Sequence, residues 1–374
     1  METNKINGNK DTIPFAATHP TEIIKDEIKA RGMSQNELAD RMGMKKSNLS
    51  RLLRGENITP TIASKLETAL DIPADMWLKL QIQYEKDTKA ISERNEKERE
   101  AYATEKMLST LLDLPVLYKR LNINTSNFIQ SKLEILKSHL GFNPLEIGKL
   151  PAIGQSCYKK SDKLSFDEKS QNTWLVLAYI SSLATAPDVQ YSKGFAKEAA
   201  KKIAMEAHNG SLTEQRIKEI LYEKGIAYSV VQKTDKTHID AASFYVKDFP
   251  AVVTTHRYND MSMLIFNVLH ELWHIENHLL CGTDNFFISS DETYSSDSKY
   301  EREANTFAED MLISRQTWRK MMNSGSDSIS TKNIVGRLKT LSKENGLDFN
   351  IVVWRYKHES KQYALSGVKS IPIR

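Results

Sequence analysis

Cysteine is nearly absent: the 374-residue chain has two, Cys157 and Cys281, too few for the disulfide framework that small secreted domains need. Long apolar runs are missing too. The longest candidate, TWLVLAYISSLATA at 173–186, is shorter than the roughly 18 residues that cross a bilayer, and it is rich in Ser, Thr and Ala. The opening METNKINGNKDT lacks the apolar core of a signal peptide. A cytoplasmic protein with no membrane partner is therefore expected. No repeat of about 20–50 residues is visible, and the net charge of +4 is too small to name a partner. What is present is ordinary for a globular protein: 40% hydrophobic and 27% charged residues, over a length that suits about two domains.

The charge is unevenly placed. Residues 41–54, RMGMKKSNLSRLLR, hold Arg41, Lys45, Lys46, Arg51 and Arg54 and no acid, within a nearly balanced stretch, 17–84. Such a cluster suits either contact with a polyanion or a solvated basic face. After a flexible leader at 1–16, this stretch reads as short, well-punctuated helices. Pro20 opens one and Gly32 closes it; Ser34 and Glu37 form a capping box before a helix ending at Gly43; Thr59 caps another, with Pro60 in its first turn. Two helices, 34–42 and 46–54, are joined by GMK, with Leu38, Ala39, Leu49, Leu52 and Leu53 spaced to pack together. That is a helix-turn-helix layout, whose second helix enters the major groove; a plain helical bundle is the alternative. With the leucines inward, Lys46, Ser47 and Arg51 face out, Ser50 and Arg54 lie near the edge, and Gln35 is placed to hold a phosphate.

The segment MSQNELADRMGMKKSNLSRLLRGENITPTIASKLETAL resembles the Cro/repressor-type (XRE) helix-turn-helix. With HPTEIIKDEIKARG before it and DIPADMWLKLQIQY after it, residues 17–84 resemble the HigA-like antitoxins, through the pattern Trp77, Leu78, Leu80, Gln81. The resemblance implies a five-helix, lambda-repressor-like domain. It further implies a homodimer on operator DNA, autoregulation and a cognate HigB-like ribonuclease toxin. One departure is Lys45, where such helices often carry a Ser or Thr cap.

Residues 85–106 have 13 charged residues of 22 and no Gly or Pro. Glu85, Lys89, Glu93 and Lys97 alternate in sign at a spacing of four, which suits an exposed spacer helix. Together, 85–190 read as a charged helical linker and a helical region without chemistry. From 191 to 320 the order is two helices, then strands in IAYSVVQ and ASFYVKDFPAVVTTH, then FNVLHELWHIENHLL: an α+β arrangement in a mainly helical chain. Residues 321–374 read as a C-terminal extension.

HELWH at 270–274 matches His-Glu-x-x-His. Residues four apart lie one turn along a helix and about 40° around it, so His270 and His274 can converge on one zinc ion. Glu271 is near enough to take a proton from water activated there. Five residues are a weak match, and an ordinary helix holding histidines is the alternative. Two features favour the site: the helix is apolar beside the core at Phe266, Val268, Leu269 and Leu272, and the acidic helix start EREANTFAEDMLI at 301–313 can deliver a third ligand. His278 is about 12 Å along the axis from His270, too far to share the ion, and Cys281 meets a similar objection.

LIFNVLHELWHIENHLL and EREANTFAEDML together resemble the ImmA/IrrE metallopeptidases. The resemblance implies a zincin-like fold over roughly 191–320 and zinc-dependent cleavage of a repressor-type protein. Trp273 stands where that family commonly has Gly, and MLIS replaces its usual Leu-Leu-Met-Pro. Helical phasing puts Glu301 on one small face with Ala304, Asn305 and Ala308 and turns Glu303 outward. The expected ligands are thus His270, His274 and Glu301, with Asn305 bonding a ligating imidazole. His256 and Tyr294 are candidates for the oxyanion partner. A competing expectation is a non-catalytic antitoxin or repressor whose C-terminal domain is a metal-supported binding module.

Overall fold

Gly32, Gly43 and Gly55 all sit at positive φ, a backbone state that side-chain-bearing residues resist, and they divide the N-terminal part into its helices. These are α1 (Pro20–Ala30), α2 (Gln35–Arg41), α3 (Lys46–Leu53), α4 (Pro60–Leu70) and the long α5 (Ala74–Leu111). The computed structural model describes residues 13–150, 168–235, 237–279, 286–290, 298–323, 334–362, 365 and 367–373. The chain divides into two units, 1–103 and 104–374. Among the described residues, no helix is long and apolar enough to cross a membrane.

The first unit has one core, in which Ile24, Leu38, Leu49, Leu52, Leu66, Leu70 and Trp77 are buried. Thr59 caps α4 through Ile62 N, as the sequence suggests. The capping box at Ser34 is only half formed. Ser34 Oγ accepts from Glu37 N, but the Glu37 carboxylate turns away to Arg41 at 2.8 Å, an ion pair one turn on. Gln81 is buried and accepts from Ile58 N at 3.1 Å, tying the loop before α4 to α5. Gln81→Leu would strand that buried N–H, at a cost of about 1–3 kcal/mol. Chemical denaturation of the full chain measures it; a midpoint matching the wild type would show that the bond carries no net stability.

The second unit continues with α6 (Leu114–Arg120), α7 (Ile129–Leu140), a 3-10 turn at Pro144–Lys149 and α8 (Glu168–Ala184). Next come α9 (Phe195–His208), α10 (Glu214–Tyr222) and the strands β1 (Ala227–Val230), β2 (Ile239–Val246) and β3 (Phe249–Thr254). After α11 (Met261–Asn277) follow β4 (Phe286–Ser290), α12 (Lys299–Leu312), α13 (Arg315–Asn323), α14 (Ile334–Asn345) and α15 (Phe349–Ser360). The sheet is mixed, in the order β1-β3-β2-β4; β1 runs parallel to β3, and β2 is antiparallel to both β3 and β4.

Strand alternation sends successive side chains to opposite faces. Ala242, Phe244 and Val246 of β2 pack with Trp174, Leu175 and Ala178 of α8 on one side. Tyr228 and Val252 join Leu264, Val268 and Leu272 of α11 on the other. Helices α14 and α15 enter that same core through Leu338, Leu341, Val352 and Trp354. Among the described residues the protein is thus mainly helical, with a small mixed sheet in its second unit.

Candidate functional site

In the N-terminal unit, Leu49, Leu52 and Leu53 are buried while Lys46, Ser47, Arg51 and Arg54 are exposed; Ser50 is half-buried, and Gln35, at the start of α2, is exposed. The outward face of α3 therefore carries the basic and hydroxyl groups expected of it. Lys45 sits at the N-cap without a side-chain cap bond, although its carbonyl accepts from Asn48 N at 2.9 Å. Sequence reading missed an intramolecular competitor: the Arg51 guanidinium is ion-paired with Glu56, just past the end of α3. Arg54 Nε donates to Ser50 O at 3.2 Å.

In the second unit, α11 begins at Asp260, whose carboxylate accepts from Ser262 N and Met263 N. The helix is buried on nearly all sides, and His270, Glu271 and His274 are wholly inaccessible. Against it packs α12, through a face of buried Ala304 and Ala308, small enough for close approach. Glu301 arrives in the first turn of α12 and is 7% exposed.

The structure brings His270, His274 and Glu301 together, with one potential ligand atom of each within 4.8 Å of the others. His270 Nε2 lies 3.0 Å from His274 Nε2 and 3.2 Å from Glu301 Oε2; His274 Nε2 lies 3.7 Å from Glu301 Oε1. Ligand atoms placed tetrahedrally around a zinc ion are roughly 3.3 Å apart. The observed spacings straddle that value. Glu301 Oε2 is also buried without accepting a hydrogen bond, which costs free energy unless a cation compensates. Burial, with His270 and His278 nearby, pushes the His274 pKa well below the ordinary imidazole value, and the neutral ring is the form that ligates. The donor set fits a divalent metal ion.

Asn305 Oδ1 is 2.9 Å from His270 Nδ1. Glu271 Oε2 accepts a 2.5 Å bond from Ser243 Oγ of β2, a partner that sequence reading did not find. Phe287 of β4 stacks on the His274 ring, centroids 3.8 Å apart and 16° from parallel. Trp273 stacks on Phe307 of α12 at 4.6 Å. His278, assigned no ligand role from the sequence, is 2.8 Å from His274 through paired Nδ1 atoms. Its Nε2 is 3.1 Å from Glu303, whose side chain is 39% exposed.

His256 has φ 53° and is engaged elsewhere: its Nε2 is 2.6 Å from Glu214 Oε1, which also accepts from Tyr228 OH at 2.6 Å. Burial pushes the Glu214 pKa up, but the bonds from His256 and Tyr228 outweigh it and leave the carboxyl below its ordinary value. Tyr294, Cys157 and Cys281 lie outside the described residues.

A helix-turn-helix family model matches residues 24–77. Matched residues and exposed α3 face agree: the N-terminal unit is an XRE-type helix-turn-helix, and the chain is a DNA-binding transcriptional regulator. No curated protein matches the chain.

Arg51→Ala is expected to lose about 1–3 kcal/mol of preference for operator over random DNA, the usual worth of a bidentate guanine contact. Glu56→Gln, which releases the same guanidinium, should tighten binding. Salt-titrated binding to the chain's own promoter measures both, and an undiminished preference in Arg51→Ala would remove Arg51 from the reading face.

Proposed function

We propose that this regulator is the DNA-binding antitoxin of a toxin–antitoxin pair, and that its second unit is a zinc metallopeptidase acting on a regulatory protein. The observation that carries the peptidase reading is the buried convergence of His270, His274 and Glu301 beside a glutamate that is not part of the ligand set. A purely structural site has no use for Glu271. Zinc supplies a Lewis acid that polarises a scissile carbonyl and acidifies water. His270, His274 and Glu301 would hold it, leaving a fourth position for water. Glu271 would take the proton from the attacking water and hand it to the leaving amine. Ser243 of β2 donates a hydrogen bond to one oxygen of the Glu271 carboxylate.

The antitoxin reading is supported by the resemblance of residues 17–84 to HigA-like proteins; a homodimer on operator DNA and a HigB-like toxin follow from it as proposals. A second reading of the other unit is favoured by the inaccessibility of Glu271 and His274 and by the Phe287 ring stacked on His274. On that reading the metal supports a binding or sensing module and nothing is cleaved. Incubating the zinc-loaded full-length protein with the products of its neighbouring genes separates the two. A discrete cleavage product that a chelator abolishes supports the peptidase; intact substrates in the presence of stoichiometric zinc support the binding module.

A further inference from the structure

Two neutral imidazoles facing each other through nitrogen can hydrogen-bond only when one nitrogen carries the proton and the other a lone pair. His274 Nδ1 and His278 Nδ1 face each other at 2.8 Å, and the opposite nitrogen of His278 faces a carboxylate, Glu303 Oε2, at 3.1 Å. A carboxylate only accepts, so a neutral His278 carries its proton on Nε2. Its Nδ1 is then the acceptor, and the proton between the rings belongs to His274.

We infer that Glu303 and His278 form a relay that holds His274 in its Nδ1–H tautomer, turning the Nε2 lone pair toward His270 and Glu301. The purpose of the relay rests on the metal reading above; its existence does not.

The local backbone builds this arrangement. Helix α11 ends at His278, whose N–H, with that of Leu279, returns to His274 O at 2.9 and 2.8 Å, so the His278 ring folds back over the preceding turn. The His278 side chain is 5% exposed and lies edge-on to Tyr300 at 4.8 Å. Glu303, one turn beyond Lys299 and 3.7 Å from it, presents its carboxylate from α12. The Nδ1 of His270 faces a neutral amide instead, Asn305 Oδ1 at 2.9 Å. The two histidines are therefore held by groups of different charge, and His274 has the carboxylate at the end of its chain. His278 and Glu303 are positioning residues that act through His274.

The test uses the full-length protein with 15N-labelled histidine. Long-range 1H–15N spectra of the zinc-free form read the His274 tautomer, assigned against His274→Gln, and chelator competition reads zinc affinity. The wild type is expected to carry the His274 proton on Nδ1. In His278→Leu and in Glu303→Leu that preference should disappear, and zinc affinity should fall about 10–100-fold. His278→Gln, which can accept from His274 and donate to Glu303, should recover part of both. The half-exposed Glu303 position keeps the test open if His278→Leu does not fold. A wild-type His274 carrying its proton on Nε2, or Glu303→Leu and His278→Leu with unchanged tautomer and affinity, would overturn the relay. A wild type that shows the tautomer but takes up no zinc would leave the relay standing and remove the metal reading.

Discussion

Glu271→Gln is expected to take up zinc as the wild type does, to bind operator DNA unchanged, and to lose cleavage by about 10²–10⁴-fold, the usual worth of a positioned general base. The substitution suits the site. Glutamine has nearly the shape of glutamate, and its carbonyl oxygen can still accept the 2.5 Å bond from Ser243 Oγ, so the interior of α11 needs no repacking. What it lacks is the ability to take a proton. Since Glu271 is not among the three converging groups, metal content should not move. Metal analysis and single-turnover cleavage on the same preparation decide the point. Cleavage at the wild-type rate would refute Glu271 as the base, and loss of zinc would move it into the ligand set.

Glu301→Ala is expected to bind zinc far more weakly than the wild type. Structural zinc sites are worth about 10–16 kcal/mol in total, so one ligand in four represents roughly 3–4 kcal/mol, on the order of 10²–10³ in affinity. The protein fold should survive, because removing a buried carboxylate with an unbonded oxygen relieves the zinc-free form of a cost. Two outcomes are thus coupled: weaker metal binding and an apo form at least as stable. Glu303→Ala and His278→Ala should each lose less zinc than Glu301→Ala. Full affinity in Glu301→Ala, with loss in either of the others, would relocate the third ligand.

Much of the first unit was legible because its signals are local. Caps, prolines and glycines act within a few residues, and Thr59, Pro60 and Gly43 behave as their chemistry dictates. The half-formed capping box shows the limit even there: Glu37 had two partners within reach, and the charged one, Arg41, holds it. The Arg51–Glu56 pair was likewise close in sequence, but an acid beyond a glycine gives no periodic signal.

In the second unit, helical phasing alone put Glu301 and Asn305 on one face of α12, since a rigid helix converts spacing directly into angle. Ser243 and Phe287 were out of reach of such reasoning. They meet α11 only through the pairing of β2 with β4, where Ser243 stands opposite Phe287, and register between strands separated by a long helix is not written in either strand. The contribution of α14 and α15 to the main core was hidden for the same reason: an apolar face announces that it will be covered, not by what.

The small-residue face of α12 lies against the largely buried α11, and the three converging groups sit across that seam. An ion held there would bind the folded chain and not the unfolded one, so metal concentration would act as a weight on the folding equilibrium, about 4 kcal/mol at a thousandfold excess over the dissociation constant. A cell that drew down its free zinc would then shorten the life of this regulator in the face of its proteases, and its operators would be vacated without a single peptide bond being cut by the protein itself.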